Sequence, residues 1–467
     1  SQALWHYMAI PTTGVQMAVT PFSGAWVCRW DEQVPNASNY PQAHWYVVHE
    51  EDQLMPFEGY ALTQANPTTY TITGRINVGN PTINTLTYTP VTGDNSGDRT
   101  DEQSRTYPKA YPGFNLLGNS YTAPIKLSEI PESAFSTNLQ KTIYIYNAGT
   151  WAQWYGEGTP GSVVPEDGTS KTPGQYLALP LNVNLGDGAL KWIPAMQGFF
   201  VRVIGDGSAT ISGEKIDIDY LNMVVQPNYD DLETPPVPRA PQKPGKQKVD
   251  PNQSLMKMTV KGKRFADNLY LLIQDECSHE FDNGWDGDKI YGNARTPQLF
   301  AIEKYGPMAV NTVDDINGQS IGFFAGEDSE YTISYDPTEM REHYTQLYLH
   351  DMTTGTVTDM FAQNEYTFSV GKQGEVRRFV ISTSPDPHWD TSDGGLLRAW
   401  AADEMLYVEN FTDSEGDYTV FDAAGRRIAY GHLPALGRYS FQLKLIPGAY
   451  TVNVRTNSIV KPVKVIF

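Results

Sequence analysis

Short runs in which apolar and polar residues alternate, each closed by Gly, Pro, Asn or Asp, recur from one end of this chain to the other. Examples are "TIYIYN" (142–147), "FFVRV" (199–203), "SEYTISYD" (329–336) and "DYTVFDAAG" (417–425). A period of two puts successive side chains on opposite faces, which is the signature of a strand with one buried face. Forty glycines and 32 prolines supply the turns, and 28 tyrosines among 12% aromatic residues suit pleated surfaces. The expected fold is therefore all-β, and 467 residues suffice for about three or four domains of roughly 100–200 residues.

One stretch is said twice. "LMPFEGYALTQANPTTYTITG" (54–74) and "IPAMQGFFVRVIGDGSATISG" (193–213) both carry an acidic or amide residue before Gly-aromatic, and both end in Thr-Ile-Thr/Ser-Gly. Gly59 precedes Gly74 by the same interval that separates Gly198 from Gly213. "WHYMAIP" (5–11) aligns with "FNLLGNS" (114–120), and "VCRWDE" (27–32) with "IYIYNA" (143–148). Residues 1–225 are thus expected to be a duplicated β module, with copies at about 1–90 and 106–220. The second copy has a Gly/Pro/Ser-rich loop around 156–174. The recurring residues serve turns and cores, so the repetition predicts shape rather than chemistry.

A Pro-rich, aliphatic-poor linker follows at 226–253, expected to be extended and semi-rigid. Strand patterns resume from 254 to 384 at the spacing of a β-sandwich, with "LHDMTTGTVTD" forming a hairpin whose tip is Thr354-Gly355. A second linker at 385–395 leads to a small Ig-like sandwich at 396–467.

Charge and cysteine content narrow the partners. Charged residues make up 19% of the chain, below the roughly 25% of an average soluble domain, and the net charge is −20. Lys and Arg are scattered rather than gathered into a stripe, so nucleic acid is excluded as a partner. Cys28 and Cys277 lie about 250 residues apart and read as two free buried thiols rather than a disulfide. No run reaches the roughly 18 apolar residues of a membrane span. Ser1 begins without a charged and apolar leader, so an export signal, if the protein has one, is expected to have been removed or to lie upstream.

"YTVFDAAGRRIAYG", "LKLIPGAYTVNVR" and "KPVKVIF" together resemble the C-terminal sorting domain of the type IX secretion system of Bacteroidetes. The matching positions are Asp422, Gly425 and Arg426, then Leu445, Gly448, Tyr450 and Val452, then Lys464 to Ile466. "GFNLLGNSYTAPIKLSEI" and "IPAMQGFFVRV" are similar to segments of large exported surface proteins, with Phe114 for the usual Trp and Ser120 for the usual Pro. The resemblance implies an extracellular or outer-membrane surface location and contact with an export machinery through the C-terminal domain.

Catalytic motifs are missing from the pattern. There is no His-Glu-x-x-His, Gly-x-Ser-x-Gly, Walker loop or Cys-x-x-Cys, and no catalytic residue is nominated. "CSHE" (277–280) sets a thiol two residues from an imidazole but offers no third partner. "SLMK" (254–257) fits Ser-x-x-Lys by chance, on a strand rather than a helix. Asp282, Asp286 and Asp288 in "FDNGWDGDKIYG" occupy positions 1, 5 and 7 of a calcium-loop template with Gly287 at position 6, while positions 3 and 12 are Gly284 and Asn293. An acidic turn and a noncanonical Ca²⁺ site both fit, and otherwise no cofactor is expected. Trp45, Trp151 and Trp154 offer flat apolar faces for a sugar, or they fill a core or module interface. The chain therefore reads as a secreted or surface protein without enzymatic activity, adhesive or structural, with a host or bacterial glycan or protein as partner. Two alternatives stand beside it: a glycan-binding accessory module, or the C-terminal part of a larger exported hydrolase.

Overall fold

A computed structural model bears out the all-β architecture of tandem sandwich modules. It describes the chain apart from residues 1–4, 17–21, 23, 34–43, 65–68, 92–97, 101–105, 109, 150–172, 187–189, 226–252, 304, 372–375, 386–396, 403–404, 411, 413, 434–436, 443–447, 458 and 467. The chain forms two compact units. The first comprises 1–99, 107–250 and 283–285, and the second comprises 100–106, 251–282 and 286–467.

The first unit holds two antiparallel four-stranded sheets. In spatial order one consists of His6–Met8, Tyr60–Thr63, Trp26–Trp30 and Trp45–Val47, and the other of Phe114–Gly118, Gly198–Arg202, Thr142–Asn147 and Gln175–Pro180. Both run first, last, second, third in chain order. Ile10, Phe22, Val27, Leu54, Tyr60 and Leu62 form the core on one face of the first sheet. Strand Thr82–Tyr88 pairs with Ile211–Asp217.

The Gly-aromatic stretches meet the opposite sheet in equivalent ways. Glu58 bridges Leu117 while Gln197 bridges Met8. The Gly118 N–H donates to the Phe57 carbonyl at 3.1 Å, and the Ala9 N–H donates to the Met196 carbonyl at 2.8 Å. Phe57 (φ 65°) and Met196 (φ 58°) are the non-glycine residues with positive φ among the described residues, and each sits two positions before its glycine. Such a backbone is costly for an L-residue and persists only where neighbours hold it. Here the exchanged hydrogen bonds hold both. Gly59 and Gly198 are required for space: a Cβ on Gly59 would stand 2.5 Å from the Leu117 carbonyl oxygen, and one on Gly198 would stand 2.9 Å from the Tyr7 Cβ.

The second unit is built on an 11-stranded sheet. Its path runs Thr356–Asp359, Tyr348–Asp351, Val376–Ser382, Ser320–Phe324, Gln298–Glu303, Gly306–Val313, Ala266–Ile273, Ser254–Lys261, Glu330–Tyr335, Glu365–Ser369, with Gly287–Asp288 beside Gly306–Val313. Ala266–Ile273 meets Gly306–Val313 in parallel. Alternation is plain in Met256, Met258 and Val260 and in Leu269, Leu271 and Ile273, all within one core. Phe368, from one end of the path, lies 5.3 Å from Phe379, near the other, so the sheet closes over its own apolar face. The hairpin between Tyr348–Asp351 and Thr356–Asp359 turns at Gly355, whose φ of 72° needs no Cβ.

A three-stranded sheet (Leu397–Ala402, Met405–Asn410, Gly437–Gln442) and a four-stranded sheet (Arg427–Leu433, Gly416–Phe421, Ala449–Thr456, Val460–Ile466) form the C-terminal sandwich. Leu397, Leu406 and Val408 from one pack on Val420, Val452 and Val454 from the other. This sandwich is fastened to the larger sheet inside the second unit. The Arg378 guanidinium pairs with the Glu409 carboxylate, and both side chains are buried. Ser320 donates to Glu409 Oε1 at 2.9 Å and accepts from Arg378 Nη2 at 2.8 Å. Arg398 Nη1 approaches Glu409 at 3.5 Å.

Candidate functional site

An open cleft of about 490 Å³ lies in the first unit. Its walls are the end of strand Trp26–Trp30 with the following turn, the 55–59 stretch, strand Thr82–Tyr88 and the start of Phe114–Gly118. Tight turns and strand ends place each polar group. Glu32, buried, accepts from the Thr87 hydroxyl at 2.8 Å, the Thr89 hydroxyl at 2.9 Å, and the backbone N–H groups of Thr89 at 2.7 Å and Gly113 at 2.8 Å. Four donors on one carboxylate make it a structural clamp. Asp31 accepts from the Tyr46 hydroxyl at 2.6 Å, and Glu58 accepts from the Tyr60 hydroxyl at 2.7 Å. Arg29 is exposed and lies over the Tyr46 ring at 5.4 Å. The arrangement can bind a polar ligand by hydrogen bonds and charge.

Behind the cleft runs a continuous aromatic cluster. Trp30 stacks on His44 at 4.3 Å and donates from Nε1 to the Phe114 carbonyl at 2.6 Å. Tyr7 and Tyr176 share a hydroxyl hydrogen bond of 2.6 Å, and desolvation pushes both phenols up. Trp45, half-buried, meets Trp30 edge-on at 5.1 Å and Tyr7 at 5.6 Å. Its ring is thus engaged in packing around the two sheets. Trp151 and Trp154 lie outside the described residues. The cleft residues Arg29, Glu32 and Glu58 had no motif to announce them; the role of Glu32 in particular depends on Thr87, Thr89 and Gly113, which lie 55, 57 and 81 positions away.

Two of the three aspartates of the 282–288 loop, Asp282 and Asp286, turn their oxygens to backbone N–H groups. Asp282 Oδ2 accepts from Ser278 at 2.7 Å. Asp286 accepts from Thr312 at 2.8 Å on Oδ1 and from Asp282 at 2.7 Å on Oδ2. Burial pushes the Asp286 carboxyl up to about 8, against those two donors. Asp288 belongs to the short strand beside Gly306–Val313. Among the described residues no three His, Cys, Asp or Glu side chains are disposed to hold a metal.

Cys28 and Cys277 are both free and buried, and burial pushes the Cys277 thiol up to about 12. His279 bonds Glu303 at 3.0 Å. Ser254 bonds His343 at 2.9 Å, and Lys257, three residues along the same strand, lies over the Tyr270 ring.

In the C-terminal sandwich, Asp422 accepts the N–H groups of Ala424 and Arg426, each at 2.9 Å, and the Arg426 Nε at 2.7 Å. Gly425 takes φ 75° at the tip. Asp-x-x-Gly-Arg is therefore the hairpin turn between Gly416–Phe421 and Arg427–Leu433. Gly448 leads into Ala449–Thr456, on which Tyr450 packs against the core.

The chain is 26% identical over 461 residues to the minor fimbrium subunit Mfa5 of Porphyromonas gingivalis. That alignment takes in 97% of this chain and 34% of the relative, so the chain spans about a third of the curated relative's length. A family described as a domain of unknown function (DUF8693) matches residues 11–382, from the first sheet through the last strand of the 11-stranded sheet and short of the C-terminal sandwich. With most of its length matched, the chain belongs to the DUF8693 family.

Proposed function

We propose that this chain is a cell-surface structural or adhesive component without enzymatic activity, working as part of a protein assembly of the fimbrial kind. The observation that carries the reading is the similarity to a minor fimbrium subunit along 97% of the chain, in a body made of β-sandwich modules. Sheets packed face to face over buried cores suit a load-bearing spacer. The shared strand order and the exchanged Phe57 and Met196 contacts support a duplication of one ancestral module. The C-terminal sandwich, with its Asp422–Arg426 turn, is proposed as an export address of the type IX kind.

The test is to shear surface appendages from cells producing the protein and probe both fractions with antibodies, beside a strain lacking residues 396–467. Accumulation in the sheared fraction, lost in the truncated strain, supports the surface role and the address together. Retention inside the cell envelope in both strains refutes them. A glycan-binding role is the second reading, favoured by the open cleft beside exposed Arg29 and the Trp30 ring. A glycan array with the purified chain and with Arg29→Ala separates it from a purely structural part.

A further inference from the structure

The acidic residues of this chain are unevenly placed. All 54 aspartates and glutamates precede residue 423, whereas residues 423–467 contain seven lysines and arginines. A chain of net charge −20 therefore ends in a basic segment.

The structure puts much of that segment on one surface. In the four-stranded sheet of the C-terminal sandwich, Tyr418, Val420, Val452, Val454 and Val465 point to the core, so their neighbours along each strand point outward. The register makes rows on the outer face: His432, Asp417, Arg455 and Val460 in one, Tyr430, Thr419, Asn453 and Pro462 in the next, then Phe421, Thr451 and Lys464. Tyr430 on one edge strand is 67% exposed, and Val460 and Ile466 on the other edge strand are 64% and 73% exposed, so bare apolar side chains flank the face. Arg427, Arg455 and Lys464 are exposed among them, with Arg427 over the Tyr430 ring at 5.7 Å. The acidic side chains at this face are Asp417 and Glu415, each 3.7 Å from His432, and Asp417 also lies in register with Arg455.

We propose that this outer face docks on the acidic surface of a second copy of the same chain. The proposal rests on the reading of the protein as part of an assembly. Complementary charge within one sequence is what commits the face to that occupant: the balance before residue 423 is strongly negative, and exposed acidic turns such as Glu50, Glu51 and Asp52 are present there. A patch on one end meeting a different patch on a second copy is a heterologous contact, which adds subunits in a row. The exposed apolar side chains of the two edge strands supply adhesion, and Arg427, Arg455 and Lys464 among them supply orientation and encounter rate.

Sedimentation velocity of the full-length chain tests this, at about 20 mM and about 500 mM salt, because exposed charge pairs are screened over roughly 3–20 Å across that range. Reversible association at low salt, weakened about tenfold or more at high salt, is expected. The double variant Arg455→Glu/Lys464→Glu should abolish it, and Tyr430→Ser should weaken it at both salts while the circular dichroism spectrum is retained. A chain that stays monomeric at low salt overturns the proposal, as does association untouched by the charge reversal. Binding to an immobilised acidic polysaccharide without self-association would assign the face to that polymer instead and also overturns it. None of these outcomes depends on where the protein resides in the cell, so the surface role stands or falls separately.

Discussion

Gly59 offers the sharpest quantitative test of how the two modules are joined. Its Cβ, if present, would lie 2.5 Å from Leu116 Cγ and 2.5 Å from the Leu117 carbonyl oxygen. The leucine side chain can rotate away, but the carbonyl belongs to a strand in register and cannot. A carbon meets a carbonyl oxygen comfortably at about 3.3–3.6 Å, so Gly59→Ala forces the chains apart by nearly 1 Å. Two hydrogen bonds span this joint, Gly59 N–H to the Leu116 carbonyl at 3.2 Å and Gly118 N–H to the Phe57 carbonyl at 3.1 Å. Losing both removes about 1 kcal/mol each, and overpacking adds about 1–3 kcal/mol, for a total of about 3–5 kcal/mol. Gly198→Ala meets Tyr7 Cβ at 2.9 Å and Met8 N at 3.1 Å, a looser contact, and should cost about 1–3 kcal/mol. Gly24→Ala is the control: nothing lies within 4 Å of its Cβ, and only its φ of 89° is penalised, by about 1–2 kcal/mol. Urea unfolding followed by tryptophan fluorescence reads the result. At a slope of about 3 kcal/mol per molar, Gly59→Ala should move the first unit's midpoint down by about 1 M or more. A shift no larger than that of Gly24→Ala would refute the steric account of the joint.

Four further outcomes follow from the geometry. Glu409→Ala removes the carboxylate paired with buried Arg378 and should destabilise the second unit by about 3–5 kcal/mol, whereas replacing both Arg378 and Glu409 with apolar residues of similar size should cost far less; urea titration of the two variants decides. His44 is stacked on Trp30, and burial lowers its pKa. Its folded value thus lies below the unfolded one, and the stability it protects is present above about pH 6.5 and lost as pH falls through the folded value. Buried His350 is lowered too, so melting temperatures measured from pH 7.5 to 5 should fall, and a flat profile would contradict both. Because Asp282 and Asp286 are occupied by backbone N–H groups, millimolar Ca²⁺ should move the melting temperature by less than about 1 °C; a rise of several degrees would mean that the loop reorganises around the ion. Cys28 and Cys277 should resist alkylation in the native protein and react stoichiometrically in urea, as mass spectrometry would show.

Much of the fold was legible because a period of two survives in many of the strands, such as Ser254–Lys261 and Gly416–Phe421. The hairpin at Thr354-Gly355 could be read directly. Alternation identifies faces, however, and not partners. Nothing in "ADNLYLLI" announces a parallel neighbour at Gly306–Val313, and neither Arg378 nor Glu409 carries a local sign of the other. Arg378 and Glu409 stand on either side of the expected 385–395 linker, and nothing in the linker's composition says which side chains pair across it. The aspartates at 282, 286 and 288 show a similar limit. Spacing locates side-chain oxygens along the chain, but two of the backbone N–H groups that claim the oxygens of Asp282 and Asp286 come from Ser278 and Thr312, which a calcium template does not contain. Trp45 was visible as a flat ring, while its engagement with Tyr7 and Trp30 required the fold.

The order in which the 11-stranded sheet can close has a consequence for synthesis and export. Tyr270 meets Val310 about forty residues later, Met258 meets Tyr335 about eighty residues later, and Ile321 waits for Phe379. Such separated pairings must overcome loop-closure entropy before they stabilise anything, which places folding in the millisecond-to-second range. Strand Val376–Ser382 joins two others and carries Arg378, whose carboxylate partner arrives only with residue 409. The second unit therefore matures as one late, collective event. Until then its apolar strands are exposed, so whatever shields the unfinished chain governs how much of it reaches the native state.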